Sequence, residues 1–234
     1  MRVARLQSDF VAAVSHEFRS PLSSLRQISE MLTEDRLPSE KARRESYSVL
    51  ARESERLQHL VEGLLEFGRF DAGRAVYHFE SLELRGFLHA LVADFQERVA
   101  ALGYRVELNL PDADVHVHAD REALSRAVWN LLDNAVKYSP DSRTVWVDVE
   151  AKEHRVSIAV RDSGFGIPVN EQREIFEKFV RGSESKARRI KGTGIGLAMV
   201  RHIIHAHGGE ILLTSEPGKG SRFTMVLDRI GAVS

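Results

Sequence analysis

Ser15-His16-Glu17-Phe18-Arg19-Ser20-Pro21-Leu22 is the stretch on which the reading of this chain turns. Apolar residues at Phe10, Val14, Phe18, Leu22 and Leu25 recur every three or four positions. That spacing lines up side chains along one stripe of an α-helix. His16 stands off the stripe and is expected to face solvent or an incoming reactant. Pro21 has no backbone donor and leaves the carbonyl of Glu17 without its helical partner, which predicts a bend just past His16. Taken alone, the stretch is a surface histidine on a kinked helix.

The helical pattern extends over residues 3–34. Asp35-Arg36-Leu37-Pro38-Ser39 reads as a turn, with Ser39 placed to cap a new helix. That second helix is predicted over 40–70, with Tyr47, Leu50, Leu57, Leu60, Leu64 and Phe67 on its apolar face. Two long helices joined by so short a loop form an antiparallel hairpin. One hairpin cannot bury both stripes. Two copies forming a four-helix bundle solve the problem, and packing onto the chain's own downstream part is the competing solution.

Composition sets outer limits. The chain has 234 residues, 43% hydrophobic and 29% charged, the balance of a globular protein with one or two domains. A net charge of -1 provides no global field for nucleic acid or anionic lipid, so no nucleic-acid partner is expected. The absence of cysteine excludes disulfides, thiolate nucleophiles and cysteine-based zinc sites. No apolar run approaches the ~20 residues needed to span a bilayer, and no signal peptide is visible. The expectation is a cytoplasmic protein, or the cytoplasmic part of a membrane-anchored sensor whose upstream segment lies outside this sequence.

Asp71-Ala72-Gly73-Arg74 breaks the helical pattern and reads as a linker, dividing the chain into domains 1–72 and 73–234. The second domain reads as α+β. Helices are predicted at 83–102, 121–138 and 196–207, and strands at 105–110, 115–119, 144–151, 155–161, 210–215 and 222–227. Such segregation suggests one sheet with helices on one face.

Four polar or glycine-rich elements stand in order there. Asn130, Asn134 and Lys137 in Asn130-Leu-Leu-Asp-Asn134-Ala-Val-Lys137-Tyr138 are spaced by four and three and share a helix face. Carboxamide oxygens are hard donors suited to Mg²⁺, and Lys137 can meet a phosphate. Asp162-Ser163-Gly164-Phe165-Gly166-Ile167 ends a strand with an acceptor, and its glycines permit close backbone approach. Gly192-Thr193-Gly194-Ile195-Gly196-Leu197 opens a helix whose first N–H groups favour phosphate. Gly218-Lys219-Gly220-Ser221 is a turn between the last strands. Any one glycine motif is usually just a turn. None of them sits in a βαβ unit, so the dinucleotide fingerprint is absent, and so is a GxxxxGK[ST] loop.

Taken together, these residues resemble the sensor histidine kinases of two-component signalling. Residues 15–22 resemble the H box, 130–138 the N box and 162–167 the G1 box. Ile175-Phe176-Glu177-Lys178-Phe179-Val180-Arg181 resembles the F box, and 192–197 and 218–223 the G2 and G3 boxes. The resemblance implies a helical hairpin forming a dimeric four-helix bundle, followed by an α+β sandwich of the Bergerat ATP-binding fold.

It also implies roles. Asn134 would coordinate the Mg²⁺ of Mg-ATP, helped by Asn130. Lys137 and Arg181 would contact phosphates and Tyr138 would flank the nucleotide. Asp162 would accept from the adenine amino group. Gly164, Gly166, Gly192, Gly194, Gly196 and Leu197 would shape the pocket. Residues 168–191 would form a mobile ATP lid. His16 would attack the γ-phosphate, with Glu17 orienting the imidazole or accepting its proton. The phosphoryl group would pass to an aspartate in the receiver domain of a response regulator. The family usually has threonine or asparagine four residues after the histidine, credited with placing a water for regulator dephosphorylation. Ser20 stands there and offers a hydroxyl for the same task, so phosphatase activity toward the regulator is a further expectation.

His16-Glu17 also begins a HExxH-like string, but Ser20 replaces the second histidine and removes the zinc ligand. His202, His205 and His207, with His116 and His118, read as surface histidines rather than a metal site. The alternative from another class is a dimeric scaffold that binds ATP without transferring phosphate.

Overall fold

A computed structural model describes residues 2–34, 36, 39–71, 76–188, 190 and 192–230. The chain divides into two compact units, Met1–Val76 with Lys191–Thr193 and Tyr77–Ile190 with Gly194–Ser234.

The first unit is built on helices α1 (Arg2–Thr33) and α2 (Glu40–Asp71), which pack against each other. Each has 32 residues, a length of about 48 Å at the helical rise. Ser39 caps α2, its hydroxyl accepting from the Ala42 N–H at 3.1 Å. α1 continues unbroken through Pro21, which is buried. Leu22, placed on the apolar stripe by its spacing, is 53% exposed. Val11, Tyr47, Val61 and Leu65 are exposed as well, so the hairpin leaves apolar surface uncovered. Asp35, Leu37, Pro38 and the linker residues 72–74 lie outside the described residues, as do the side chains of Phe10, Leu60 and Phe67. No helix among the described residues is long and apolar enough to cross a membrane.

The second unit is a mixed sheet backed by helices. Its strands are β1 (Glu80–Glu83), β2 (Arg105–Asn109), β3 (His116–Ala119), β4 (Thr144–Ala151), β5 (Arg155–Arg161), β6 (Glu210–Glu216) and β7 (Gly220–Ile230). They run in the order β1-β3-β7-β5-β4-β2, with β6 also paired to β7. Only β2 and β4 pair in parallel among these. The register aligns buried residues into rows. Val147, Val160 and Phe223 stand side by side, and so do Val149, Ile158 and Met225. Helices α3 (Leu84–Ala100), α4 (Arg121–Tyr138) and α6 (Gly196–Ala206) pack on the sheet. Each fully buried aliphatic side chain contributes roughly 1.5–3 kcal/mol relative to exposure. The intervening residues make a polar face. There Trp146 donates to Glu107 at 2.9 Å, and Arg222 reaches Asp148 at 2.6 Å and Glu150 at 3.4 Å.

α4 shows why its sequence folds locally. Asp120 caps it by accepting from the Ala123 N–H at 2.8 Å, Glu122 lies in its first turn and Lys137 in its last. Leu124, Ala127, Val128, Leu131, Leu132 and Ala135 form its buried stripe. The helix ends at Tyr138, one residue before the Ser139-Pro140 pair.

Two sequence expectations need correction. The helix expected at 83–102 begins at Leu84, and Glu83 is its cap, accepting from the N–H groups of Arg85 and Gly86. The residues before it form β1, which no alternation announces, because Leu82 is the lone buried apolar residue in Glu80–Glu83. β7 is longer than the expected 222–227. Its charged tail turns to pair with β3, Arg229 opposite Val117 and Ile230 opposite His116.

Candidate functional site

The polar face of α4, the turn after β5, the segment 168–191 and the start of α6 carry the residues singled out by sequence. Asn130, Asn134 and Tyr138 are half-buried and Lys137 is exposed, and Asn130, Asn134 and Lys137 share the face of α4 opposite Leu132. The Asn130 amide donates to the Arg126 carbonyl at 2.9 Å. Its Oδ1 faces the start of α6, where a Cβ on Gly196 would sit 2.8 Å away. Lys137 pairs with Asp133 at 2.6 Å one turn back. α6 opens without a side-chain cap on Ile195, so its first N–H groups are not claimed by one. Leu197 lies in that first turn, half-buried.

Asp162 is buried at the end of β5. Three donors converge on its Oδ1: the N–H of Gly164 at 2.8 Å, the hydroxyl of Ser139 at 3.2 Å and the N–H of Ser221 at 3.2 Å. Its other oxygen, Oδ2, is not the target of these donors. Burial pushes the carboxyl above its ordinary value, and the bonds from Gly164, Ser139 and Ser221 pull it back in part.

The glycines of this turn are required by the chain's own backbone. A Cβ on Gly164 would lie 2.0 Å from the carbonyl oxygen of Tyr138. Gly166 has φ +68° and would bring a Cβ 2.0 Å from the carbonyl oxygen of Glu216. Between them, Phe165 donates its N–H to the Tyr138 carbonyl at 3.1 Å and accepts from the Gly218 N–H at 2.7 Å. The turn is thus clamped between the end of α4 and the β6–β7 turn.

Segment 168–191, which the sequence marks as a mobile loop, holds among its described residues two short elements, a 3₁₀ turn (Glu174–Phe176) and helix α5 (Ser183–Ala187). Ile175 and Phe176 are buried, the latter edge-on to Phe223. Phe179 adopts a left-handed φ of 66° and donates its N–H to the Gly194 carbonyl at 2.9 Å. Arg181 is half-buried, donating to the Ile190 carbonyl and to the Ser185 hydroxyl. Its guanidinium therefore braces the segment internally. A Cβ on Gly192 would meet nothing within 4 Å.

His16 and Glu17 lie on α1, and their side chains lie outside the described residues. Ser20 is half-buried on the same helix. Sequence reasoning misses Ser139, and it places Ser221 in a turn and Arg188 in the lid without the contacts they make. Ser139 directly follows the N-box tyrosine, and only the fold reveals that its hydroxyl meets Asp162. No group of three or more histidine, cysteine, aspartate or glutamate side chains among the described residues is placed to hold a metal, and His202 and His207, expected at the surface, are half-buried.

Two family models match the chain one after the other. Residues 6–73 match the His Kinase A (phospho-acceptor) domain, and residues 119–230 match the histidine kinase-, DNA gyrase B-, and HSP90-like ATPase domain. A phospho-acceptor hairpin followed by an ATP-binding domain defines the class, and the chain belongs to the sensor histidine kinases. It is 34% identical over 221 residues to the sensor histidine kinase WalK of Bacillus subtilis, covering 94% of this chain and 36% of that protein. It is 32% identical over 227 residues to the sensor-like histidine kinase SenX3 of Mycobacterium bovis, covering 97% of this chain and 55% of that protein. The chain thus spans between a third and somewhat over half of these relatives. The crystal structure of full-length ShkA in complex with AMPPNP is similar at 26% identity and a TM-score of 0.66, covering 95% of this chain and 46% of that one.

Proposed function

We propose that this chain uses Mg-ATP to phosphorylate itself on His16 and passes the phosphoryl group to an aspartate of a response-regulator receiver domain. The observation that carries the reading is the buried carboxylate of Asp162, fixed through Oδ1 by three donors beside the polar face of α4. A carboxylate held that way, with its second oxygen outside those bonds, suits an exocyclic amine and discriminates against a base without one. The domain boundary of this reading lies at residues 72 and 73.

In this reading Asn134 and Asn130 face the triphosphate from α4, and the start of α6 adds backbone N–H groups. Two half-buried carboxamides without a carboxylate cluster fit a metal that arrives on the nucleotide. When bound, Mg²⁺ neutralises phosphate charge, and Asn134 would hold it. Lys137 exchanges Asp133 for phosphate, and Arg181 exchanges Ile190 and Ser185. Tyr138 flanks the nucleotide. Gly164, Gly166, Gly194 and Gly196 keep the backbone close, while Gly192 and Leu197 border the lid.

A neutral imidazole nitrogen of His16 attacks the γ-phosphorus. A P–N bond forms, the P–O bond to ADP breaks, and Glu17 takes the ring proton. The exposed residues Leu22, Tyr47, Val61 and Leu65 supply the surface for a second copy. Ser20 orients a water for regulator dephosphorylation.

The test is incubation with Mg-ATP followed by acid or alkali. An acid-labile, alkali-stable label is expected of a phosphoramidate. Stable ATP binding without any label would favour the scaffold reading. Asn134→Ala is expected to abolish Mg-dependent binding in calorimetry.

A further inference from the structure

Tyr104 and Ser139 lie outside every polar and glycine-rich motif of the sequence, yet they form a buried line that ends on Asp162. The Tyr104 hydroxyl donates to two carbonyls at the C-terminal end of α4, Val136 at 3.0 Å and Ser139 at 3.0 Å. A helix end leaves its last carbonyls without partners, and here a tyrosine from just before β2 supplies the donor. Ser139 takes a non-helical conformation, φ -124° and ψ 59°, and is fully buried. Its own hydroxyl donates to Asp162 Oδ1 at 3.2 Å.

The other two donors to that oxygen are backbone N–H groups, from Gly164 in the turn after β5 and from Ser221 at the start of β7. Ser139 is therefore the side-chain donor of the three, and it alone ties the carboxylate to α4. The site leaves no slack around it. A Cβ on Gly164 would lie 2.7 Å from the Ser139 hydroxyl oxygen and 2.0 Å from the Tyr138 carbonyl. The ring of Tyr104 is itself held, with the Arg143 guanidinium 5.0 Å from its centroid and the Gln96 amide donating to its carbonyl at 2.9 Å.

We propose that Ser139, braced by Tyr104, is a positioning residue for base recognition: it orients Asp162 so that Oδ2 faces the adenine amino group. The inference rests on the reading that Asp162 accepts from that amine. A donor on Oδ1 fixes the plane of the carboxylate, and without it the group keeps two backbone donors and regains torsional freedom. The loss should therefore fall on the amine contact and spare the phosphates.

The experiment compares affinity for ATP and for purine riboside triphosphate, which lacks only the exocyclic amine, each with Mg²⁺. Ser139→Ala in the full 234-residue chain is expected to weaken ATP about tenfold and the analogue less than about twofold. Tyr104→Phe should move the same ratio in the same direction by about threefold. In an Asp162→Asn background, Ser139→Ala should add less than about twofold, since its effect runs through the carboxylate. Equal losses for both nucleotides would reduce Ser139 to a packing residue and overturn the proposal. So would a full additional loss in the Asp162→Asn background. If Asp162→Asn itself leaves the ratio unchanged, the base-reading role fails and the proposal falls with it. If Asp162→Asn collapses the ratio and Ser139→Ala does not, only the positioning role fails.

Discussion

The Arg188 guanidinium lies over the ring of Phe165, 3.9 Å from its centroid. Arg188 also pairs with Glu184 one turn back, at 2.9 Å. The contact fastens helix α5, in the segment proposed as the lid, to the turn that carries Asp162. A cation–π contact at such a site is worth about 0.5–1 kcal/mol, enough to bias a lid but not to lock it. Phe165→Leu is therefore expected to speed amide hydrogen exchange over α5 by about two- to fivefold and leave the sheet unchanged. Unchanged exchange there would show that the stacking restrains nothing.

Gly164 and Gly192 make a matched pair. A methyl on Gly164 meets backbone, which cannot move aside cheaply, whereas one on Gly192 meets nothing within 4 Å. Gly164→Ala is expected to lower the melting temperature clearly, with a cost on the order of 3 kcal/mol, and to abolish ATP binding. Gly192→Ala should melt within about 0.5 kcal/mol of wild type. Equal melting of the two variants would contradict the close approach.

Acid should destabilise the second unit through its imidazoles. Burial pushes His207 below its ordinary value, and the ring accepts from the Asp120 N–H at 3.0 Å through Nε2. Burial, with Lys178 and His205 adding to it, pushes His202 down as well. Folded groups with depressed imidazole values bind fewer protons than the unfolded chain just below the ordinary value of 6.5. Stability therefore falls as pH drops through that window. Asp162 acts in the opposite sense at lower pH, because a raised carboxyl gains stability as it takes up its proton. His202→Gln with His207→Gln should flatten the melting-temperature slope between about pH 7.5 and 5. An unchanged slope would place the acid sensitivity elsewhere.

The uncovered apolar surface of the hairpin predicts self-association. Leu22→Glu combined with Leu65→Glu, both residues more than half exposed, is expected to shift sedimentation from dimer to monomer at tens of micromolar, a range on the order of a modest interface. A dimer that survives both substitutions would rule out this surface.

Much of this molecule is legible in its sequence. β4 alternates, β5 does so but for the buried Ala159 between Ile158 and Val160, and α4 carries a cap and a clean stripe, so their ends are read to the residue. β1 is invisible because its apolar content is Leu82 alone. The order within the lid is invisible because it rests on long-range polar contacts, such as Glu171 accepting from the Ser183 N–H at 3.0 Å. In the candidate site, Asp162 and the glycines stand out by residue type. Ser139 and Tyr104 do not, since a buried hydroxyl acquires its partner only when segments 35 residues apart meet.

The central claim is that the phosphoryl group of ATP ends on His16. Wild type and His16→Gln, incubated with Mg and γ-labelled ATP and compared at equal ATP occupancy, test it most directly. The account predicts an acid-labile label on wild type, no label on His16→Gln, and unchanged nucleotide affinity in both. Equal labelling of the two proteins would contradict it.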